Sequence, residues 1–260
     1  MSKILICVLM LLVLVSTSYG QKDKSLIIYF PFDEGSGDVA KDFGPFKLEG
    51  KLINKPAWVG GKFGKALMFG GEPSGQYVQV DHQPKLDADT AVTVMSWIFP
   101  NSWPHKGACC DQVWGFGVHG GCGGRVQWGL FQESDLKARF EAEGGRLDIP
   151  APLPKEKEWT HVAISYDNGT GKIYINGSLA GEGKGAGALK KSSEPLMIAA
   201  DCERLNYIFD GIIDEFRMFH RALSEDEIKD QMKKGRAEIL AVVTTSKLAI
   251  AWGAIKTRDQ

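Results

Sequence analysis

Apolar and polar residues alternate along much of the chain, in short segments separated by glycine, proline and asparagine. The clearest case is WTHVAISYDNGTGKIYINGSLAGEG, residues 159–183, in which Val162, Ile164 and Tyr166 would point to one side of a strand. Two Asn-Gly steps, eight residues apart, fit the positive φ angles that two-residue hairpin turns require. The segment therefore predicts a β-meander with one buried face and one face in solvent.

Further strands are predicted on both sides of this meander. Residues 25–32 are almost all apolar, so we expect a strand that is buried on both faces. Residues 91–99 alternate and stop at Pro100, and residues 211–220 form a long apolar last strand. The other predicted strands cover residues 46–52, 57–59, 66–70, 77–80, 112–118, 125–131, 138–143, 195–199 and 207–210.

One helix is predicted, near the end of the chain. Ser224 and Glu227 have the spacing of a capping box, and Gly235 is a typical helix stop. Acidic residues follow Ser224 and two lysines precede Gly235, as the helix dipole favours. About a dozen short strands and one terminal helix predict an all-β fold, a two-sheet antiparallel jelly-roll sandwich with one short C-terminal helix.

The first twenty residues do not belong to this pattern. Lys3 precedes an apolar run over residues 4–15, and small residues lead to Gly20. This is the composition of a secretory signal peptide, residues 1–20, cleaved near Gly20. The run is too short to span a membrane as a helix. We therefore expect a secreted, periplasmic or cell-surface protein without a transmembrane anchor.

Length and charge narrow the possibilities further. Lysine and arginine number 31 and the acidic residues 32, and no basic stripe is visible, so a nucleic-acid partner has no electrostatic support. The remaining length fits one domain, residues 24–235. Residues 236–260 form a tail whose periodicity leaves two roles open, an additional edge strand or a contact with a partner.

The cysteines indicate disulfides. Five are present, and Cys7 lies in the apolar run of the leader. In an exported protein the other four predict two disulfides with three possible pairings. We expect the two adjacent cysteines to bond separately, one to each of the other two. A zinc site is the alternative, because histidines share the same loop, although no Cys-x-x-Cys pair is present. The four cysteines are Cys109, Cys110, Cys122 and Cys202.

A series of segments resembles the laminin-G-like domains of the concanavalin A-like lectin and glucanase superfamily. They occur in the family's order: YFPFDEGSG at 29–37, WVGGKFGKALMFGG at 58–71, TVMSW at 93–97, FDGIIDEFR at 209–217 and RALSEDEI at 221–228. The resemblance covers about residues 26–231, but not the cysteine-rich loop or the tail. It implies a concanavalin A-like jelly roll. Many members bind glycans, some bind proteins and some cut polysaccharides, so the fold alone does not choose the function.

The resemblance also implies a structural calcium ion. Asp33 ends the first strand and Asp214 lies in the last, and similar domains often hold calcium where these strands meet. Calcium takes carboxylate oxygens together with backbone carbonyls from glycine-rich loops. We therefore expect Asp33 and Asp214 as ligands, with Asp42 and the Gly44 carbonyl beside them. In the alternative, Asp33 accepts amide hydrogen bonds in a turn and Asp214 pairs with Arg217.

Glycan binding requires exposed aromatic rings, on which the apolar faces of sugars pack. Trp103, Trp114 and Trp128 are the candidates, with Trp103 foremost because its loop is polar. Trp97 and Trp159 lie in family core motifs, so we expect them to pack in the interior.

A catalytic function has less support. The Glu-x-Asp-x-x-Glu string of polysaccharide-cutting relatives is absent. Glu141 and Glu143 would share one strand face, which also fits an ordinary solvent-facing stripe. The sequence predicts a non-catalytic module that binds extracellular carbohydrate. A module that binds a cell-surface protein is the alternative, and a polysaccharide hydrolase or lyase is the third.

Overall fold

Two eight-stranded sheets make up most of the described part of the protein. The computed structural model describes residues 23–72, 74–104, 111–116, 127–185, 187–201 and 207–239. The strands are β1 Leu26–Phe30, β2 Val39–Ala40, β3 Gly50–Ile53, β4 Ala57–Gly60, β5 Lys65–Gly70, β6 Tyr77–Val80, β7 Ala91–Pro100, β8 Asp111–Phe116, β9 Trp128–Gln132, β10 Leu136–Ala142, β11 Gly145–Ala151, β12 Thr160–Asp167, β13 Thr170–Ile175, β14 Ser178–Lys184, β15 Leu196–Ile198 and β16 Asp210–Phe219. A 3₁₀ turn covers Pro84–Leu86, and helix α1 covers Glu225–Gln231.

The strand order identifies the architecture. The first sheet runs β14-β13-β12-β7-β16-β5-β4, with β1 also paired to β16, and the second runs β11-β10-β9-β8-β15-β6-β3-β2. The paired strands within both sheets are antiparallel. The predicted two-sheet antiparallel sandwich is confirmed.

The two Asn-Gly steps close hairpins as predicted. Asn168 and Gly169 connect β12 to β13 with φ angles of 43° and 99°, and Asn176 and Gly177 connect β13 to β14 with 50° and 79°. The alternating apolar side chains of β12 are buried. Turn chemistry therefore predicted the meander. The expected solvent face is wrong for β12, because His161, Ala163 and Ser165 on its other face are buried as well.

Apolar side chains pack on both faces of the first sheet. Ile28 and Phe30 of β1 belong to the main core, while Leu26 and Tyr29 of the same strand belong to a second cluster that includes Ile228 of helix α1. Successive residues of a strand point to opposite faces, so Tyr29 lies on the outer face of this sheet, which the helix covers. An irregularity in the β1–β16 register between Leu26 and Ile28 accompanies the placement of Leu26 on the same outer face. The predicted capping box is present, because Ser224 and Glu227 exchange side-chain-to-backbone hydrogen bonds.

Some predictions fall outside the described residues. These are the leader at 1–20, the four cysteines Cys109, Cys110, Cys122 and Cys202, and the tail from residue 240 onward. In the part of the chain that the structure describes, no helix is both long and apolar enough to cross a membrane.

Candidate functional site

The connection between β1 and β2 forms the outer wall of the candidate site. Residues 33–38 are polar and glycine-rich, and they lie against the β4–β5 hairpin. The Trp58 indole donates a hydrogen bond to the Gly37 carbonyl (3.1 Å), and the Lys65 backbone N–H donates to Asp33 Oδ1 (2.9 Å). These two bonds hold the loop to a rigid sheet edge.

This loop lines an open pocket with a volume of about 530 Å³. The pocket brings acidic, basic and aromatic side chains together. The charged and aromatic side chains that line it are Asp33, Glu34, Asp38, Lys41, Phe43 and Arg236. Carboxylates accept hydrogen bonds, while ammonium and guanidinium groups donate them, so the pocket offers both functions within a small volume.

Arg236 and Phe43 form the opposite wall. The Arg236 guanidinium carbon lies 4.3 Å from the centroid of the Phe43 ring, a stacking geometry that orders the guanidinium plane. Arg236 Nη1 lies 3.9 Å from Asp33 Oδ2, too far for a direct hydrogen bond. The stacked guanidinium is therefore held in place with N–H donors free to meet a ligand.

Glu34 supplies an acceptor on the loop side. Its Oε1 accepts the Lys41 backbone N–H at 2.8 Å. Its Oε2 is shielded from solvent and has no hydrogen-bond partner in the described structure. A shielded acceptor without a donor is costly, and in this conformation a ligand hydroxyl cannot reach it.

Asp42 fixes the segment that carries Phe43. Its carboxylate accepts the backbone N–H groups of Tyr29 (2.9 Å), Gly44 (2.6 Å) and Leu48 (2.9 Å). The Phe43 N–H in turn donates to the Tyr29 carbonyl at 2.7 Å. Burial raises the pKa of Asp42, and the three N–H groups oppose that rise. The structure therefore shows that Asp42 caps three backbone N–H groups, while calcium coordination by Asp42 and the Gly44 carbonyl stays a prediction.

Arg217 fixes the segment that carries Arg236. Its guanidinium is buried, and it donates to the Gln231 carbonyl (2.6 Å) and to the Lys234 carbonyl. These carbonyls lie at and just beyond the end of helix α1, where helix acceptors lack partners within the helix. Arg236 follows Lys234 by two residues, so the hydrogen bond from Arg217 to the Lys234 carbonyl fixes the position of the backbone that carries Arg236.

A buried ionic cluster joins the segment that carries Phe43 to the segment that carries Arg236. Glu215 forms an ion pair with Arg217 and accepts a hydrogen bond from the Tyr29 hydroxyl at 2.8 Å. Burial raises the pKa of Glu215, and the positive charge of Arg217 opposes that rise. The sequence analysis gave an Asp214–Arg217 ion pair as the alternative to calcium binding, whereas in the structure Arg217 pairs with Glu215. An irregularity in the β16–β7 pairing between residues 214 and 217, together with a φ of 56° at Glu215, accompanies this arrangement.

Asp33 and Asp214 both contact the turn at residues 61–65. Asp214 Oδ2 accepts the Phe63 N–H at 3.0 Å, while its buried Oδ1 has no partner in the described structure. Burial raises the pKa of Asp214 to about 8, and the negative charges of Glu215 and Asp33 add to the rise. A carboxyl with this pKa is mostly protonated at neutral pH, so a hard cation would bind Asp214 only in place of that proton. Among the described residues, no group of three or more His, Cys, Asp or Glu side chains is arranged to hold a metal.

The three candidate tryptophans do not line this pocket. Trp114 and Trp128 are fully buried, their rings 6.0 Å apart, and Trp103 is 5% exposed. The Trp114 indole donates to Ser96 Oγ (2.9 Å), and the Trp103 indole donates to the Pro154 carbonyl (2.9 Å). The prediction that these rings are exposed is wrong, because their positions on β8, on β9 and beside Phe209 face the core.

Glu141 of the catalytic alternative is engaged elsewhere. It forms ion pairs with Arg146 (2.7 Å) and Lys190 (3.4 Å) on the second sheet.

The sequence analysis did not predict the pocket residues Glu34, Asp38 and Arg236. The acidic loop after the first strand was a usable signal for the first two, but nothing local associates Arg236 with that loop.

The sequence comparisons agree with this architecture. A laminin-G family model, described as the concanavalin A-like lectin/glucanases superfamily, matches residues 70–229. The chain therefore belongs to the concanavalin A-like lectin and glucanase superfamily. A comparison with curated protein sequences found no match.

Solved structures share the fold at low sequence identity. The binding domain of Paraclostridial Mosquitocidal Protein 1 is 16% identical (TM-score 0.64; 80% of this chain, 52% of that one). Domain 4 of AbnA, an extracellular arabinanase from Geobacillus stearothermophilus, in complex with arabinotriose, is 21% identical (TM-score 0.58; 80% and 98%). The binding domain of botulinum neurotoxin DC in complex with SialylT is 17% identical (TM-score 0.62; 79% and 50%). The chain thus spans about half the length of the first and third of these and nearly all of the second.

Proposed function

We propose that this protein is an exported carbohydrate-binding module whose ligand occupies the pocket between the β1–β2 loop and the Phe43–Arg236 wall. The observation that carries the proposal is the Arg236 guanidinium stacked on Phe43, which lines one pocket together with the carboxylates of Asp33, Glu34 and Asp38. Sugars present hydroxyl groups that donate and accept, so a pocket with both functions recognises them. The structures with arabinotriose and SialylT support a ligand of this class. Export rests on the leader at residues 1–20.

A protein ligand is the second candidate. Phe46, close in sequence to the pocket wall, is 42% exposed, and large exposed apolar side chains favour protein contacts. The fold is also shared by the binding domain of botulinum neurotoxin DC in complex with rat synaptotagmin II. Binding to cell-surface proteins in the absence of any glycan signal would favour this candidate.

The pocket proposal predicts that Arg236→Ala weakens glycan binding about tenfold or more. A hydrogen bond to a charged group contributes about 1.5–3 kcal/mol, and each 1.4 kcal/mol is a factor of about ten. A glycan array with the wild type identifies the glycans that bind, and isothermal titration calorimetry then measures their Kd for the wild type and for Arg236→Ala. Lys233→Ala is the matched control, because Lys233 is an exposed cation three residues earlier that does not line the pocket. Equal affinity in wild type and Arg236→Ala would contradict the proposed site.

A structural calcium ion beside Asp33 and Asp214 is a further part of the proposal. Its support is the buried, unpartnered Oδ1 of Asp214 next to a second carboxylate. Calcium at 100 times its Kd would add about 2.7 kcal/mol, or about 5–10 °C in Tm for a domain of this size. We expect calcium to raise the Tm of the wild type relative to EDTA. The rise should be absent in Asp214→Asn and retained in Asp167→Asn, which changes an exposed aspartate. Identical wild-type melting in calcium and EDTA would exclude this ion.

A further inference from the structure

The two Asn-Gly turns carry a chemical reactivity that lies outside the proposed pocket. An asparagine followed by glycine is prone to lose its side-chain amide, because glycine has no side chain to hinder its own backbone nitrogen as that nitrogen approaches the asparagine. The two turns have similar backbones, with φ angles of 43° and 50° at the asparagines and 99° and 79° at the glycines. Any difference in reactivity between them must therefore come from their surroundings.

The turn at Asn176 and Gly177 is held on two sides. Asn176 Oδ1 accepts the His161 backbone N–H at 2.9 Å, and the Asn176 N–H donates to the His161 carbonyl at 2.8 Å. A Cβ atom added at Gly177 would lie 2.8 Å from Lys229 Cγ and 3.0 Å from Met232 Sδ, so this turn packs against the end of helix α1. The Asn176 side chain can react only after it leaves His161 and the turn moves away from the helix.

The turn at Asn168 and Gly169 is held by its backbone alone. The Asn168 N–H donates to the Thr90 carbonyl (2.8 Å), the Gly185 N–H donates to the Gly169 carbonyl (2.7 Å), and the Gly169 N–H interacts with the Tyr166 hydroxyl. Asn168 is exposed, and in the described structure no hydrogen bond involves its carboxamide. Local opening of the turn is therefore sufficient for reaction, because the side chain is already free.

We infer that Asn168 is a site of spontaneous deamidation in the folded protein, and that Asn176 is protected. The Gly169 backbone nitrogen attacks Asn168 Cγ, a new C–N bond closes a five-membered succinimide ring, and the Cγ–Nδ2 bond breaks. The amide proton leaves with the side-chain nitrogen as ammonia. Water then opens the ring at either carbonyl and gives aspartate or isoaspartate. Both products add a carboxylate at the β12–β13 turn, and isoaspartate also lengthens the backbone there by one atom.

The test follows both asparagines in one sample. The full chain is incubated in mildly alkaline buffer, and peptide mapping by mass spectrometry, with chromatographic separation of aspartate from isoaspartate, gives the two rates. We expect Asn168 to react at least about tenfold faster than Asn176 in the folded protein, since Asn176 must first lose an additional hydrogen bond and its packing against the helix. In concentrated urea both contacts are absent, so the two rates should be nearly equal.

A variant assigns the protection of Asn176 to helix α1. Met232→Ala removes one of the atoms that cover Gly177, so we expect it to accelerate the reaction of Asn176 and to leave that of Asn168 unchanged. Asn176 reacting as fast as Asn168 in the folded protein would overturn the inference. So would a difference that persists in urea, because local sequence would then be its cause. An unreacted Asn168 in folded protein, after the urea sample has reacted fully, would overturn it as well.

Discussion

Replacing Arg217 with methionine is expected to lower the free energy of unfolding by about 3–5 kcal/mol, the range for breaking one side of a buried ion pair. The Arg217 guanidinium is buried, lies 4.9 Å from the Tyr29 ring centroid, and neutralises Glu215. Without it, Glu215 would be buried without its ion-pair partner, and the carbonyls of Gln231 and Lys234 would each lose a side-chain donor. Urea denaturation followed by tryptophan fluorescence measures the loss.

A double-mutant cycle separates the ion pair from the packing of Arg217. Glu215→Gln removes the charge that Arg217 neutralises. The double variant Glu215→Gln/Arg217→Met should therefore lose less free energy of unfolding than the sum of the losses in the two single variants. Ser224→Ala, at the other end of the same helix, provides a comparison with an expected loss of about 1 kcal/mol. A loss below 1 kcal/mol in Arg217→Met would show that the cluster contributes little to holding helix α1.

Replacing Asp42 with alanine is expected to cost about 3 kcal/mol or more. The Asp42 side chain is 5% exposed and accepts three backbone N–H groups, from Tyr29, Gly44 and Leu48. Each buried donor left without an acceptor costs about 1–3 kcal/mol. Asp42→Asn retains one acceptor oxygen, so its loss should be smaller.

Calcium distinguishes this capping role from the coordination that the sequence predicted. We expect the destabilisation by Asp42→Ala to be the same in EDTA and in calcium, measured by chemical denaturation. A loss of free energy of unfolding that appears only when calcium is present would show that Asp42 is a calcium ligand. Asp42→Ala should also weaken glycan binding, because the Asp42 carboxylate fixes the backbone on both sides of Phe43.

Both expectations place the support of the pocket in the buried layer beneath helix α1. Tyr29 links the segments that carry Phe43 and Arg236, since its carbonyl accepts the Phe43 N–H and its hydroxyl donates to Glu215. Arg217 then extends the connection to the segment before Arg236. The sandwich provides a rigid base, and the contacts that shape the pocket come from loops at its edge.

The sequence alone determined the features whose causes lie within a few neighbouring residues. Alternation predicted most of the strands but missed β2 and β11, Asn-Gly steps predicted both hairpins, and the spacing of Ser224 and Glu227 predicted the cap of helix α1. These depend on local φ preferences, side-chain periodicity and short-range hydrogen bonds, which the chain carries in each segment. The resemblance of ordered motifs then identified the sandwich and its superfamily.

Only the tertiary structure decided which side chains meet. Strands β8 and β9 are buried on both faces, so their pattern could not reveal that Trp114 and Trp128 face the core. Which acidic residue pairs with Arg217 depends on an irregularity between β16 and β7, which neither strand shows by itself. The pocket joins Glu34 near the start of the domain to Arg236 near its end. Such contacts arise from packing between distant segments, whereas periodicity and turn chemistry act only between neighbours.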